Sequence, residues 1–109
     1  MEKTRISVGD LRNYLGESVY VEGVVYEVRD HGGITVIDLF DESGFVKCVV
    51  EPDNEYNRKM SRELAKDFPV GVCGKVKNAP LSVVGNEMDI VEIEVEKLTI
   101  FGRKNKRPV

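Results

Sequence analysis

The sequence predicts an all-β domain with short helices: five strands closing into a small barrel, one helix between the third and fourth strands, and a short helix ahead of the first. Three observations carry this prediction. Residues 20–51 form three β-rich runs separated by two short polar breaks, 29–33 and 41–44. The β pattern is then interrupted once, where Tyr56, Met60, Leu64 and Phe68 recur at helical spacing. Two more runs rich in Val and Ile follow, at 70–77 and 88–101.

The elements can be justified in chain order. Ser7 and Asp10 have the spacing of a capping box, and Val8, Leu11 and Leu15 fall on one helical face. A short helix over 8–15, ended by Gly16, is expected to plug one end of the barrel. Strand one, 18–29, is long, and Gly23 near its middle marks a bulge or bend that lets one strand serve both sides of a closed barrel. His31-Gly32-Gly33 is the turn into strand two, 34–41, and Asp41-Glu42-Ser43-Gly44 is a hairpin loop into strand three, 45–51. Pro52 stops that strand. Asp53 or Asn54 caps a helix over 55–67, whose apolar stripe is Tyr56, Met60, Leu64 and Phe68. Strand four, 70–77, bends at Gly71 and Gly74. A loop over 78–86, in which Leu81 to Val84 can form a short hairpin arm, leads to strand five, 88–101. There Glu92, Glu94 and Glu96 alternate with apolar residues and make one face acidic. Three strands, a helix and two strands is the order of the OB-fold; an open sandwich of the same strands is the alternative. The domain organisation expected is an N-terminal segment 1–17, a barrel 18–101 and a basic tail or linker 102–109.

Composition narrows the function. The 109 residues suffice for one domain with a modest core. Net charge is −3, but residues 103–107 hold four of the sixteen basic residues, leaving 12 basic against 19 acidic, a balance of −7, in 1–102. An acidic body with a basic tail is not the footprint of a strong non-specific nucleic-acid binder, though it permits a local basic groove. Cys48 and Cys73 lie in valine-rich runs and read as buried reduced thiols. No CxxC or His/Cys cluster suggests zinc, and no cofactor motif is present. His31 is the single histidine, and no nucleophile has an evident base, so no enzyme is expected. The absence of a signal peptide and of a long apolar run gives a cytoplasmic expectation, away from membranes.

From Gly23 onward a series of motifs lines up. Arg29-Asp30 and the Gly32-Gly33 turn precede an apolar strand ending Asp38-Leu39-Phe40-Asp41. Gly44 and a strand carrying Lys47 come next, and after the helix Val70, Val72, Gly74 and Val76 follow at alternate positions. This pattern resembles the N-terminal anticodon-binding domain of class II aspartyl-, asparaginyl- and lysyl-tRNA synthetases, over residues 18–101. The resemblance implies an OB-fold that binds nucleic acid, with Arg29 at a functional position. It also implies three replacements. Val36 stands where the family places a base-stacking aromatic, Lys47 where it places a base-bonding Gln, and Phe40 where it places an Arg before the closing Asp. No synthetase catalytic domain follows, so aminoacylation is not expected of these residues.

Alternation puts Ile37, Leu39, Val46, Cys48 and Val50 in the core. Val36, Asp38 and Phe40 then share the outer face with Phe45, Lys47 and Val49. Phe40 and Phe45 should sit opposite each other as a stacking platform, or else as a cross-strand pair covering a barrel end. Arg29, with His31 beside it, Lys47, Lys75 and Lys77 would form a cationic track if all face one groove; otherwise they are solvated surface charges. The expected function is non-enzymatic binding of single-stranded DNA or RNA across strands two and three. The alternatives are a protein-interaction module, with a protein partner in place of nucleic acid, or an accessory domain of a longer nucleic-acid enzyme.

Overall fold

β1 (Ser18–His31) is shared between two neighbours in the computed structural model, which describes residues 4–79 and 91–102. Its first half pairs antiparallel with β4 (Pro69–Asn78), ending at Val24↔Pro69. Its second half pairs with β2 (Ile34–Asp41), beginning at Val24↔Phe40. β2 pairs with β3 (Gly44–Val50), and β3 runs parallel to β5 (Val91–Ile100), which returns to β4. The strand order β1-β2-β3-β5-β4 is a closed barrel, as the OB-fold expectation required, and the open-sandwich alternative falls. Among the described residues no helix is long and apolar enough to cross a membrane.

The handover at Val24 explains Gly23. A Cβ there would lie 2.5 Å from the Phe40 carbonyl oxygen, so only glycine permits this approach. The bulge itself lies further on, between Val25 and Glu27, and makes Tyr26 the extra residue. The β1–β2 turn is Gly32-Gly33, with φ of +58° and +96°, the conformation of a two-residue hairpin. Inward parity then fills the barrel with Val21, Val25, Ile37, Leu39, Cys48 and Ile93, all fully buried. Of the two free thiols, Cys48 is buried as expected; Cys73 is only half-buried.

Both helices differ from expectation, and for related reasons. The N-terminal helix, Val8–Tyr14, is a 3-10 helix, and Ser7 makes no side-chain cap. Its N–H groups are satisfied from the β2–β3 hairpin instead. Asp41 Oδ2 accepts from Val8 N–H at 3.0 Å, and Ser43 Oγ accepts from Gly9 N–H at 2.8 Å. Val8 and Leu11 are buried in the barrel mouth, whereas Leu15 is 47% exposed.

The second helix, α1 (Glu55–Ser61), stops well before residue 67. Asn54 caps it, accepting from Asn57 N–H at 3.2 Å. Met60, Leu64 and Phe68 do pack toward the core, but Tyr56 is 57% exposed and the buried residues of α1 are Asn57 and Ser61. The cause lies in β5. Cys73 pairs with Lys97 and Gly74 with Val95, so Glu96 is an extra residue there. β3 has already parted from β5 after Val49↔Glu94. The Asn57 amide takes over the vacated backbone groups, donating to Glu96 C=O at 3.1 Å and accepting from Leu98 N–H at 3.0 Å. The expected hairpin arm at Leu81 to Val84, the first residues of strand five at 88–90 and the basic tail at 103–107 lie outside the described residues.

Two stability predictions follow from these contacts. Asn57→Ala leaves two β5 backbone groups buried without partners and is expected to destabilise the protein by about 2–4 kcal/mol in urea unfolding; a loss within error of zero would show that water replaces the amide. Asp41 concerns pH. Burial alone raises its pKa, but hydrogen bonds from Ser43 Oγ–H and from the N–H groups of Val8, Ser43 and Gly44 outweigh this and hold the carboxyl below its ordinary value. Its contribution to stability is therefore complete above the unfolded pKa, about 3.9, and is lost as pH falls through the lower folded value. Asp41→Ala should be less stable at neutral pH yet lose less stability on acidification than the parent chain. Parallel acid limbs in the two denaturation profiles would contradict this.

Candidate nucleic-acid interface

The outer face of β2 and β3 is built as parity dictates. Phe40 pairs with Phe45, Asp38 with Lys47 and Val36 with Val49. Val36 and Phe40 are half-buried, Lys47 is exposed, and Phe45 is 55% exposed. His31 closes β1 opposite Ile34 at the turn end of this face and is exposed. The aromatic pair occupies the other end of β2, roughly 13 Å from Val36 at the rise of a strand.

Asp38 sits between these ends, and its side chain is only 6% exposed. Arg29 Nη2 donates to both its oxygens, at 2.8 and 2.9 Å. Lys47 Nζ lies 3.6 Å from the same carboxylate. Burial makes this pairing obligatory, because a lone carboxylate at that depth would be strongly disfavoured. It also fixes the guanidinium: Arg29 Nε is buried and has no partner among the described residues.

The cations do not form an unbroken track. From Arg29 on β1, outward positions run to Asp38 on β2, Lys47 on β3, Glu92 on β5 and Lys77 on β4, successive members paired in register or by hydrogen bond. The row crosses all five strands with alternating sign. Lys77 donates to Glu94 at 3.0 Å, and this hydrogen bond holds its pKa above the usual lysine value. The Glu92 carboxyl is pushed up, first by burial and further by Glu51 and Glu94, against the opposing pull of Lys77 and Lys47. Lys75 is exposed on β4, between Ser18 on β1 and Glu94 on β5, well away from the β2–β3 pair. Arg29, Lys47 and Lys77 are therefore brought into one row, each beside a carboxylate, and Lys75 is set apart.

Sequence reasoning missed Tyr26. As the bulge residue of β1 it turns outward, 47% exposed, with its ring centroid 6.5 Å from Phe40 and 6.0 Å from Phe45. Lys66 Nζ stands 4.7 Å from the Tyr26 centroid. A signal existed: Val19, Val21 and Val25 are inward, so regular alternation would point Glu27 into the core. A charged residue at inward parity calls for an extra residue just before it.

The tRNA anti-codon family, described as an OB-fold nucleic acid binding domain, matches residues 19–101. Among curated proteins, an aspartate–tRNA(Asp/Asn) ligase of Treponema denticola is 35% identical over 101 residues, covering 92% of this chain and 17% of the relative. The ligase of the same name from Bradyrhizobium diazoefficiens is 32% identical over 97 residues, covering 87% and 16%. The chain thus spans about a sixth of the length of these relatives. Among solved structures, asparaginyl-tRNA synthetase from Pyrococcus horikoshii complexed with asparaginyl-adenylate superposes with a TM-score of 0.77 at 24% identity, over 99% of this chain and 24% of that one. OBody AM3L09 bound to hen egg-white lysozyme superposes with a TM-score of 0.80 at 22% identity, over 95% and 99%. The solved structures bear on the fold alone.

The buried carboxylate yields a prediction independent of any ligand. Asp38→Ala, which strands Arg29 and Lys47 side by side, is expected to lower stability by about 1–3 kcal/mol, toward the lower end because both cations are partly solvated. Adding Arg29→Ala should restore part of the loss. Strict additivity of the two substitutions in urea unfolding would mean that the pair is not coupled.

Proposed function

This chain belongs to the tRNA anti-codon family of OB-fold nucleic acid binding domains, and on that premise we propose that it binds single-stranded DNA or RNA across the outer face of β2 and β3, without catalysing a reaction on it. One observation carries the reading: Phe40 and Phe45 are paired across the strands, with Phe45 more than half exposed, on the same face as Arg29 and Lys47. Bases stack on the two rings. Arg29 and Lys47, held by Asp38, meet the backbone or a base edge, and Lys77 extends the contact across β5. His31 and Val36 line the turn end of the path, and Lys75 contributes only at long range. Because each cation in the row already faces a carboxylate, phosphate attraction is modest and stacking supplies most of the affinity. A location in the cytoplasm accords with this role.

A second reading is favoured by the short coverage of the curated relatives, about a sixth of their length. In that case the barrel is an accessory domain of a longer nucleic-acid enzyme, and its ligand is a tRNA. Val36 and Lys47, which replace the stacking aromatic and the base-bonding Gln of the resembled synthetase domains, set any such recognition apart from theirs.

Binding of labelled oligo(dT), oligo(U) and an anticodon stem-loop, each titrated against salt, tests both readings. Affinity for the unstructured oligomers should fall with salt at a slope of about −0.7 per phosphate contacted. Phe45→Ala should weaken binding by about 1–3 kcal/mol. No binding to any of the three, or binding indifferent to Phe45, would overturn the proposal; binding confined to the stem-loop would favour the second reading.

A further inference from the structure

Tyr26 stands outside the face just described, on β1, and its position is bought by a broken strand ladder. The bulge between Val25 and Glu27 leaves Tyr26 without a register partner and turns it toward the aromatic pair. The resulting cluster is edge-on: Tyr26 meets Phe40 at 76° and Phe45 at 60°. In such contacts one ring's edge meets another's face, and the rings are not stacked face on face. Tyr26 and Phe45 accordingly remain about half exposed, at 47% and 55%. A cross-strand pair that merely closed the barrel would bury its rings.

The second observation comes from the far side of Tyr26. Lys66, in the connection between α1 and β4, holds its ammonium over the ring at 4.7 Å and is itself exposed. Beyond it an open groove of about 460 Å³ lies between β1 and this connection, lined by Tyr26, Glu27, Val28, Leu64, Ala65 and Lys66. Aromatic surface and a cation therefore meet at one point, next to a groove that leads away from β2 and β3. A stacked base needs the ring, and the adjoining phosphate needs the ammonium. Glu27, exposed on the β1 wall of the same groove, repels phosphate there, so the backbone of a strand in the groove would follow the opposite wall, past Lys66.

We propose that Tyr26 and Lys66 form an additional nucleotide subsite, at which a single strand leaving Phe40 and Phe45 crosses the β1 bulge and enters the groove beside Leu64. The ligand footprint then reaches beyond β2 and β3 onto β1 and the α1–β4 connection. This rests on the reading of the β2–β3 face as a nucleic-acid site.

The test uses the whole chain and oligo(dT) or oligo(U) of increasing length. In the parent chain, affinity should rise with length until the subsite is filled. Tyr26→Ala should weaken binding of long oligomers about tenfold and leave short ones little changed; Tyr26→Phe should bind as the parent does. Lys66→Gln should reduce the salt slope for long oligomers by about 0.7, the share of one phosphate contact. Tyr26 is solvent-facing, so circular dichroism and amide spectra should show all three variants folded. If the parent binds and Tyr26→Ala matches it at every length, the subsite is refuted while the β2–β3 reading stands. If the parent binds no oligomer, both fail. If the parent chain self-associates with concentration and Tyr26→Ala abolishes this with nucleic-acid binding unchanged, the subsite is refuted in favour of a protein-docking face.

Discussion

The barrel closes through its shortest seam. β3 and β5 run parallel for only three paired residues, Lys47–Val49 against Glu92–Glu94, whereas every other neighbouring pair of strands shares a longer ladder. Beyond Glu94 the strands diverge, and without another partner β5 would present bare backbone at the barrel wall. Unpaired buried peptide groups are costly enough to prevent closure. Asn57 supplies the partner. Its amide offers an N–H donor and a carbonyl acceptor at the spacing of a peptide unit, so a single side chain stands in for the missing stretch of strand. The short α1 follows from this requirement: a helix that must point an amide at β5 cannot also point Tyr56 there.

The seam also shapes the outer surface. Because β3 meets β5 at Lys47 and Glu92, the charged row on the β2–β3 face continues uninterrupted to Lys77 on β4. Alternating sign along that row lets each side chain be satisfied without a counterion from solution, and Asp38 can be buried only because two cations reach it. The consequence for binding is a trade. Cations engaged by carboxylates release fewer ions when a phosphate arrives, so they add less sequence-independent affinity than free lysines would. They are, however, already held in place, and a fixed guanidinium loses less freedom on contact with a ligand. On the proposed nucleic-acid reading, a face of this kind would distinguish ligands by shape and stacking more than by charge, in keeping with a net charge of −3.

Strand parity was legible because it is local. Ile37, Leu39, Val46, Cys48 and Val50 alternate with Asp38, Phe40, Phe45 and Lys47, and the barrel admits only one face of each strand. The Phe40–Phe45 pairing was legible for the same reason, since a short hairpin loop sets the register. What stayed hidden depends on groups far apart in sequence. Ser7 and Asp10 have the spacing of a local cap, yet Asp41 and Ser43 caught the first N–H groups, because the barrel presents them at the helix entrance. Of the apolar stripe, Met60, Leu64 and Phe68 pack on the core and only Tyr56 does not, for a comparable reason: the anchor of the first turn is a polar residue, Asn57, and hydrophobic periodicity is blind to a buried amide.

The ion pairs show the same limit from the side of function. Arg29, Lys47 and Lys77 look alike in a sequence, as cations on outward positions. Their different fates follow from which carboxylate each strand register brings alongside, and register between β3 and β5 spans more than forty residues of chain. Tyr26 is the opposite case, a feature whose signal was local and available. Inward parity that runs through Val19, Val21 and Val25 arrives at Glu27, and an isolated glutamate inside a valine-lined barrel would have neither partner nor water. The chain avoids that by inserting one residue, and the residue displaced outward is an aromatic that lands against two others. A bulge required by the core thus determines what the surface displays, and the aromatic cluster of Tyr26, Phe40 and Phe45 is the by-product of keeping one charge out of the interior.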